Sequence, residues 1–171
     1  AIEESIARGD IVGALRNYDI ALRTSNDAED LLFPSLTAAL AEPRIRGYLL
    51  PILDTNPVWK DSFLGYIARS GIEPEGAIAL FREGRPLGLE APERTQVSLV
   101  NALVRQNKRS EAWAYYRTFR PGVRRDRSRD PNFALDTAKS IFDWQPGTDA
   151  RLSAAILQQG DSGLLDFSVP P

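Results

Sequence analysis

The stretch Arg94–Pro121, RTQVSLVNALVRQNKRSEAWAYYRTFRP, reads as two antiparallel helices joined at Gln106–Asn107–Lys108. Val97, Val100, Ala102, Leu103 and Val104, with Leu99 beside them, make the first helix apolar on one side. In the second, Ala112, Trp113, Tyr116 and Phe119 recur at the spacing that stacks side chains on one helical face. Pro121 ends that helix, because proline supplies no backbone donor and its ring clashes with the preceding turn.

Upstream, the same pattern returns in rougher form. Residues 2–8 read as the tail of a helix. Asp10 then offers a side-chain acceptor to the free amides of a helix from Ile11 to about Thr24. Further helices are expected over Ala28–Ala41, with Pro34 near its start to delay or kink it, and over Pro43–Asp54, shortened or bent at Pro51. Val58–Ser70, closed by Gly71, and Pro74 to about Gly84 complete the series.

The second helix of each pair can be aligned on a small residue: Ala14, Gly47, Ala77 and Ala112, at steps of 33, 30 and 35 residues. One position on stand Leu15, Tyr48, Ile78 and Trp113; four positions on stand Tyr18, Pro51, Phe81 and Tyr116. Two helices per unit and a period of about 34 residues mark a stacked helical array. No unit covers its own apolar face, so neighbours must stack to bury it. The aromatic stripe of Tyr18, Phe63, Phe81, Trp113 and Tyr116 is therefore expected to be core.

These positions resemble the tetratricopeptide repeat (TPR) family, in which a small residue, an aromatic four later, a small residue three later and a closing proline recur. Ala14–Tyr18–Ala21 follows that pattern, while Ala77–Phe81–Gly84–Pro86 and Ala112–Tyr116–Pro121 follow it in part. Leu64–Gly65 matches the Leu-Gly step of a first helix. The second unit departs, with Pro51 for the aromatic and Asp54 for the small residue. The resemblance implies a mainly α fold, a right-handed α-α superhelix of about four helix pairs over residues 1–121.

Composition changes after Pro121. An Arg-rich linker is expected at 122–131 and a partial β-rich module at 132–171, with strands at IFDWQ (141–145), RLSAAILQQ (151–159) and GLLDFSVPP (163–171). Asn132–Phe133, Phe142–Asp143–Trp144 and Leu165–Asp166–Phe167 resemble the opening of a jelly-roll, carbohydrate-binding module. The absence of Met, and a helix-like IEESIARGD at the start, point to a piece of something longer. Envelope proteins of bacteria join such arrays to β-modules, and by that analogy a periplasmic or secreted location is favoured.

The chain contains no Cys and no His, which removes Cys/His zinc sites, Ser-His-Asp triads and Cys-His dyads made within it. A net charge of −2 gives no general attraction to nucleic acid or anionic membrane. No apolar run reaches the length of a membrane span. Asp61, Glu73, Glu75, Glu83, Asp143 and Asp166 stand in no local acid–base motif, so an enzyme, a carboxylate-based glycan hydrolase, ranks last. No cofactor is expected.

Two groups of candidate site residues remain. By resemblance, the first helices of each pair line a groove for a protein or peptide partner. Tyr66, Arg69, Asn101 and Arg105 project from those helices off the apolar stripe, where an ordinary solvated face is the competing reading. In the Arg-rich stretch, Arg124, Arg125 and Arg127 suit an anion, since guanidinium forks bind phosphate and carboxylate bidentately. The competing reading there is an exposed linker. The expected function is a non-catalytic protein-interaction scaffold, with a glycan-binding envelope protein as the alternative.

Overall fold

The computed structural model describes residues 10–25, 27–135, 140–147 and 152–169. Among them are seven α-helices: α1 (Ile11–Thr24), α2 (Ala28–Ala38), α3 (Pro43–Asp54), α4 (Lys60–Ser70), α5 (Pro74–Gly84), α6 (Glu93–Arg105) and α7 (Arg109–Phe119). Two strands follow, β1 (Ser153–Gln159) and β2 (Ser162–Ser168). The protein is mainly helical with a short antiparallel hairpin at its C-terminal end. The helix proposed at residues 2–8 lies outside the described residues.

The helices contact one another in the order a stack requires. α2 touches α4 and α4 touches α6, while α1 touches α3 and α3 touches α5. The α2–α3 hairpin thus lays both helices on α4–α5, and α6 lies on both α4 and α5. A continuous interior results, running through Leu15, Leu36, Ile45, Leu49, Phe63, Leu80 and Leu99. Phe33 and Phe63 meet edge to face inside it, with centroids 5.3 Å apart. The aromatic stripe is core for Phe63, Phe81 and Tyr116. Tyr18 and Trp113 are only part-buried and pack at the edges of the two apolar clusters.

Helix starts and stops follow local chemistry. Asp10 Oδ1 accepts from the Gly13 N–H at 3.0 Å, capping α1 as expected. α6 is closed off by Asn107, two residues past its end, which takes a left-handed φ of 62°. The Lys108 N–H then reaches the Leu103 carbonyl and the Asn107 N–H reaches that of Val104, both at 2.9 Å. This crossed pair of bonds is the tight helix ending that glycine or asparagine permits. It turns the chain back along α6 within three residues.

Three expectations need correction. α2 begins at Ala28 as expected, with no delay at Pro34, but its expected last turn, Ala39–Ala41, is 3-10, and α3 runs unbroken to Asp54 through Pro51. Pro51 is exposed, and the carbonyl deprived of its donor belongs to Gly47, also exposed, so the missing bond is left to water. IFDWQ (141–145) is a turn, not a strand. The Ser140 carbonyl accepts from the Asp143 N–H at 2.9 Å, and the Ser140 hydroxyl from that of Phe142. The strands near 151–159 and 163–171 do form, pairing Ile156 with Leu165 and Leu157 with Leu164 across a two-residue turn. Gly160, with φ of 61°, opens that turn.

Two contacts set how closely successive pairs approach. A Cβ on Gly76 would lie 2.5 Å from the backbone of Leu40, so α5 presses its glycine onto the 3-10 turn at Ala39–Ala41. Beside it, Arg46 is only 7% exposed. Its Nη1 donates to the Leu40 carbonyl at 2.7 Å, and its Nε and Nη2 fork onto the Glu83 carboxylate. One guanidinium therefore joins the turn, α3 and α5. Trp59, at the start of α4, makes a similar tie by donating its indole N–H to Asp19 of α1 at 2.8 Å.

Opposite outcomes are expected for two glycine-to-alanine substitutions. Gly76→Ala should destabilise by about 2 kcal/mol through overpacking against Leu40. Gly47→Ala, in mid-helix with open space around its Cβ position, should stabilise by about 0.5–1 kcal/mol through helix propensity. Urea denaturation of the two variants checks both signs.

Candidate functional site

The end of the array is closed by the chain's own C-terminal segment. Phe142 packs edge to face on Trp113 at 5.2 Å and tilted on Tyr116 at 5.3 Å, and Val123 joins the same cluster. Asp143, 5% exposed, stands between two donors. Its Oδ1 accepts from the Tyr116 hydroxyl at 2.6 Å and from Arg129 Nε at 3.0 Å. Its Oδ2 has no partner among the described residues. Burial, together with the bond to Asp143, holds the Tyr116 hydroxyl well above the usual tyrosine range. Asn101, on α6, fixes the neighbouring residue by accepting from the Ile141 N–H at 2.9 Å.

This closure leaves a pocket of about 500 Å³ between α7 and the turns at 123–129 and 141–142. Trp113, Tyr116, Val123, Ile141 and Phe142 make its apolar floor and walls. Arg109, Arg124, Arg125, Arg127 and Arg129 surround it. Two of the five are engaged. Arg124 forks onto Asp126 at 2.8 and 2.9 Å, which holds that carboxyl below its usual range, and Arg129 binds Asp143. Arg127 lies 3.9 Å from Asp126, beyond hydrogen-bond reach. Arg125 sits over the Trp113 ring at 5.7 Å.

The predicted anion residues Arg124, Arg125 and Arg127 are thus brought together on one pocket, joined by Arg109 and Arg129. Sequence reasoning missed Arg109, because it sits in α7 outside the Arg-rich run. It also missed Phe142 and Ile141, read there as part of a strand. A helix start rich in basic residues, KRS at 108–110, was the available signal.

The four predicted groove residues lie on α4 and α6, which are in contact. Tyr66 packs its ring against Phe33 at 5.6 Å, partly within the core. Arg69 folds back so that its Nη1 lies 2.9 Å from where a Gly65 Cβ would stand. Arg105 reaches toward Gly71 at the end of α4, within 3.2 Å of its Cβ position. Arg69 and Arg105 are exposed, and Asn101 is part-buried against the C-terminal segment.

Between α5 and α7 lies a groove of about 680 Å³. Ile78, Phe81, Tyr115 and Phe119 line it, with Arg82 and Arg85 along its edge. Burial pushes the Tyr115 hydroxyl up to about 12. Gln96 donates to the Ala91 carbonyl at 2.7 Å, while its own carbonyl oxygen is buried without a partner.

Among the described residues, no group of three acidic side chains converges as a metal site, and no helix is long and apolar enough to cross a membrane. No family model matches the chain, and neither does any curated protein or solved structure. The fold and site define its class: a mainly helical array of stacked hairpins, closed at one end by a segment that completes a basic, aromatic-floored pocket.

Asp143→Ala should cost about 2 kcal/mol in urea denaturation, since it leaves the Tyr116 hydroxyl and Arg129 without their acceptor. Tyr116→Phe should cost about 1 kcal/mol, the loss of one bond. The raised Tyr115 pKa carries its own sign. An unfolded tyrosine ionises near 10, so the folded state's advantage is whole below that pH and disappears as pH rises through about 12. Stability should fall across that window, and Tyr115→Phe should flatten the fall in denaturation curves taken at successive pH values.

Proposed function

We propose that the protein is a non-catalytic interaction scaffold, a TPR-like array that holds a protein or peptide partner against its helices. The observation that carries this reading is the continuous stacking of α2, α4 and α6. It makes a continuous face on which Arg69 and Arg105 lie, both exposed and on neighbouring helices. Side chains held at fixed separation on rigid elements lose little freedom on binding, which favours recognition of an extended backbone. The α5–α7 groove adds a second apolar surface with a basic edge. Tyr66 supports the face from beneath, and Asn101 couples it to the closing segment.

Cross-linking in extract, followed by reconstitution with the purified partner, tests this. A partner bound by the wild-type chain should lose about tenfold in affinity to Arg69→Ala/Arg105→Ala, the weight of one or two charge-assisted bonds. Arg16→Ala, on exposed α1 surface, should bind normally. Equal binding by all three chains sinks the assignment of this face. Asn101→Ala is a poor probe, because it also releases Ile141.

A second reading, glycan binding through the C-terminal β-region, has one specific support. Trp144 is 41% exposed and lies against Phe133 at 5.0 Å, beside the β1–β2 hairpin. The Phe133 carbonyl accepts from Gln158, and that of Asn132 accepts from the Gly163 N–H. An exposed aromatic face of this kind suits a sugar ring, and a jelly-roll-like module would present it. On a glycan array, binding that Trp144→Ala abolishes would favour this reading over the scaffold.

A further inference from the structure

We propose that the pocket beneath the start of α7 binds a phosphomonoester dianion carried on a flat, apolar body. The inference is independent of the partner face on α4 and α6. Three observations converge on it, and the first is charge. Five guanidiniums line the pocket, while Asp126 and Asp143 are the carboxylates bonded to them, so an excess of three positive charges faces the space. Arg109 and Arg125 form no ion pair among the described residues, and Arg127 is only loosely placed near Asp126. Clustering like charges without a counter-ion is unfavourable, and a dianion relieves it better than a carboxylate can.

The second is donor geometry. Arg109 and Ser110, the first two residues of α7, lie on the pocket wall, and Lys108 provides no side-chain cap for that helix end. The uncapped amides and the positive end of the helix add to the guanidiniums. The third is shape. A volume of about 500 Å³ far exceeds a bare phosphate, and its floor is Trp113, Tyr116 and Phe142. Arg125, 5.7 Å from the Trp113 ring centroid, would swing outward on its flexible stem to clamp a planar ring laid on the indole.

Arg125 and Arg127 are exposed, so their removal should leave the fold intact. The direct experiment is calorimetric titration with phenyl phosphate, with Trp fluorescence as a second readout. Wild-type chain should bind phenyl phosphate about tenfold or more tightly than inorganic phosphate, and phenol should not bind. Arg125→Ala/Arg127→Ala should weaken phenyl phosphate by about tenfold or more, with circular dichroism unchanged. Arg16→Ala should bind as wild type does. Affinity should rise between about pH 5 and pH 7, as the second phosphate proton leaves, and phenyl sulfate, which stays a monoanion, should show no such rise. Phosphotyrosine amide and a nucleoside 5′-monophosphate both carry the proposed chemistry; both should follow the double variant, and the tighter one identifies the source. No binding of phenyl phosphate at millimolar concentration overturns the proposal. So does unchanged binding by the double variant, or phenyl sulfate matching phenyl phosphate at about pH 7.

Discussion

The array depends on one joint, the approach of α5 to the turn at Leu40. Gly76 is there because any side chain would strike the Leu40 backbone, and Arg46 is there because the Leu40 carbonyl, buried by that approach, needs a donor. A buried guanidinium is costly unless its own donors are met, and Glu83 meets them from the next pair. The close contact creates a polar demand, and the same residue that answers it stitches two hairpins together.

The far end of the stack poses a different problem. A terminal repeat has an apolar side and no neighbour to cover it. Here Phe142 and Val123 cover Trp113 and Tyr116, and Asp143 and Asn101 anchor the covering segment through hydrogen bonds. The cover is a loop and not a helix pair, so it cannot fill the whole face. The pocket is the remainder. Its basic rim arises because the arginines that follow α7 must pass over the same opening on their way to the closing turn.

Much of the fold could be read from residue spacing. α1, α3 and α5 occupy the expected spans to the residue, because each has a cap or proline at its start and a clear apolar stripe. Reading failed at Pro51, where propensity argued for a shortened or bent helix that an exposed position tolerates, while part-buried Pro34 sits inside α2 without delaying its start. It failed again at IFDWQ, whose bulky residues looked like a strand. What decided that segment was a tertiary contact, Phe142 against an aromatic surface 26 residues back at Tyr116, together with the hydroxyl of Ser140. For the candidate site, the run Arg124–Arg127 was visible as charge, but charge along the chain does not tell whether arginines face water, carboxylates or a cavity.

Local periodicity therefore established the helices, their pairing and much of the interior, Phe63, Phe81 and Tyr116 among it but not Tyr18 or Trp113, because those follow from the 3.6-residue repeat and from the need to bury an apolar stripe. It could not establish which arginines pair, since Arg46–Glu83 and Arg129–Asp143 join residues 37 and 14 positions apart. Nor could it establish the pocket. A cavity is the gap between surfaces brought together from distant parts of the chain, and no single segment carries its shape.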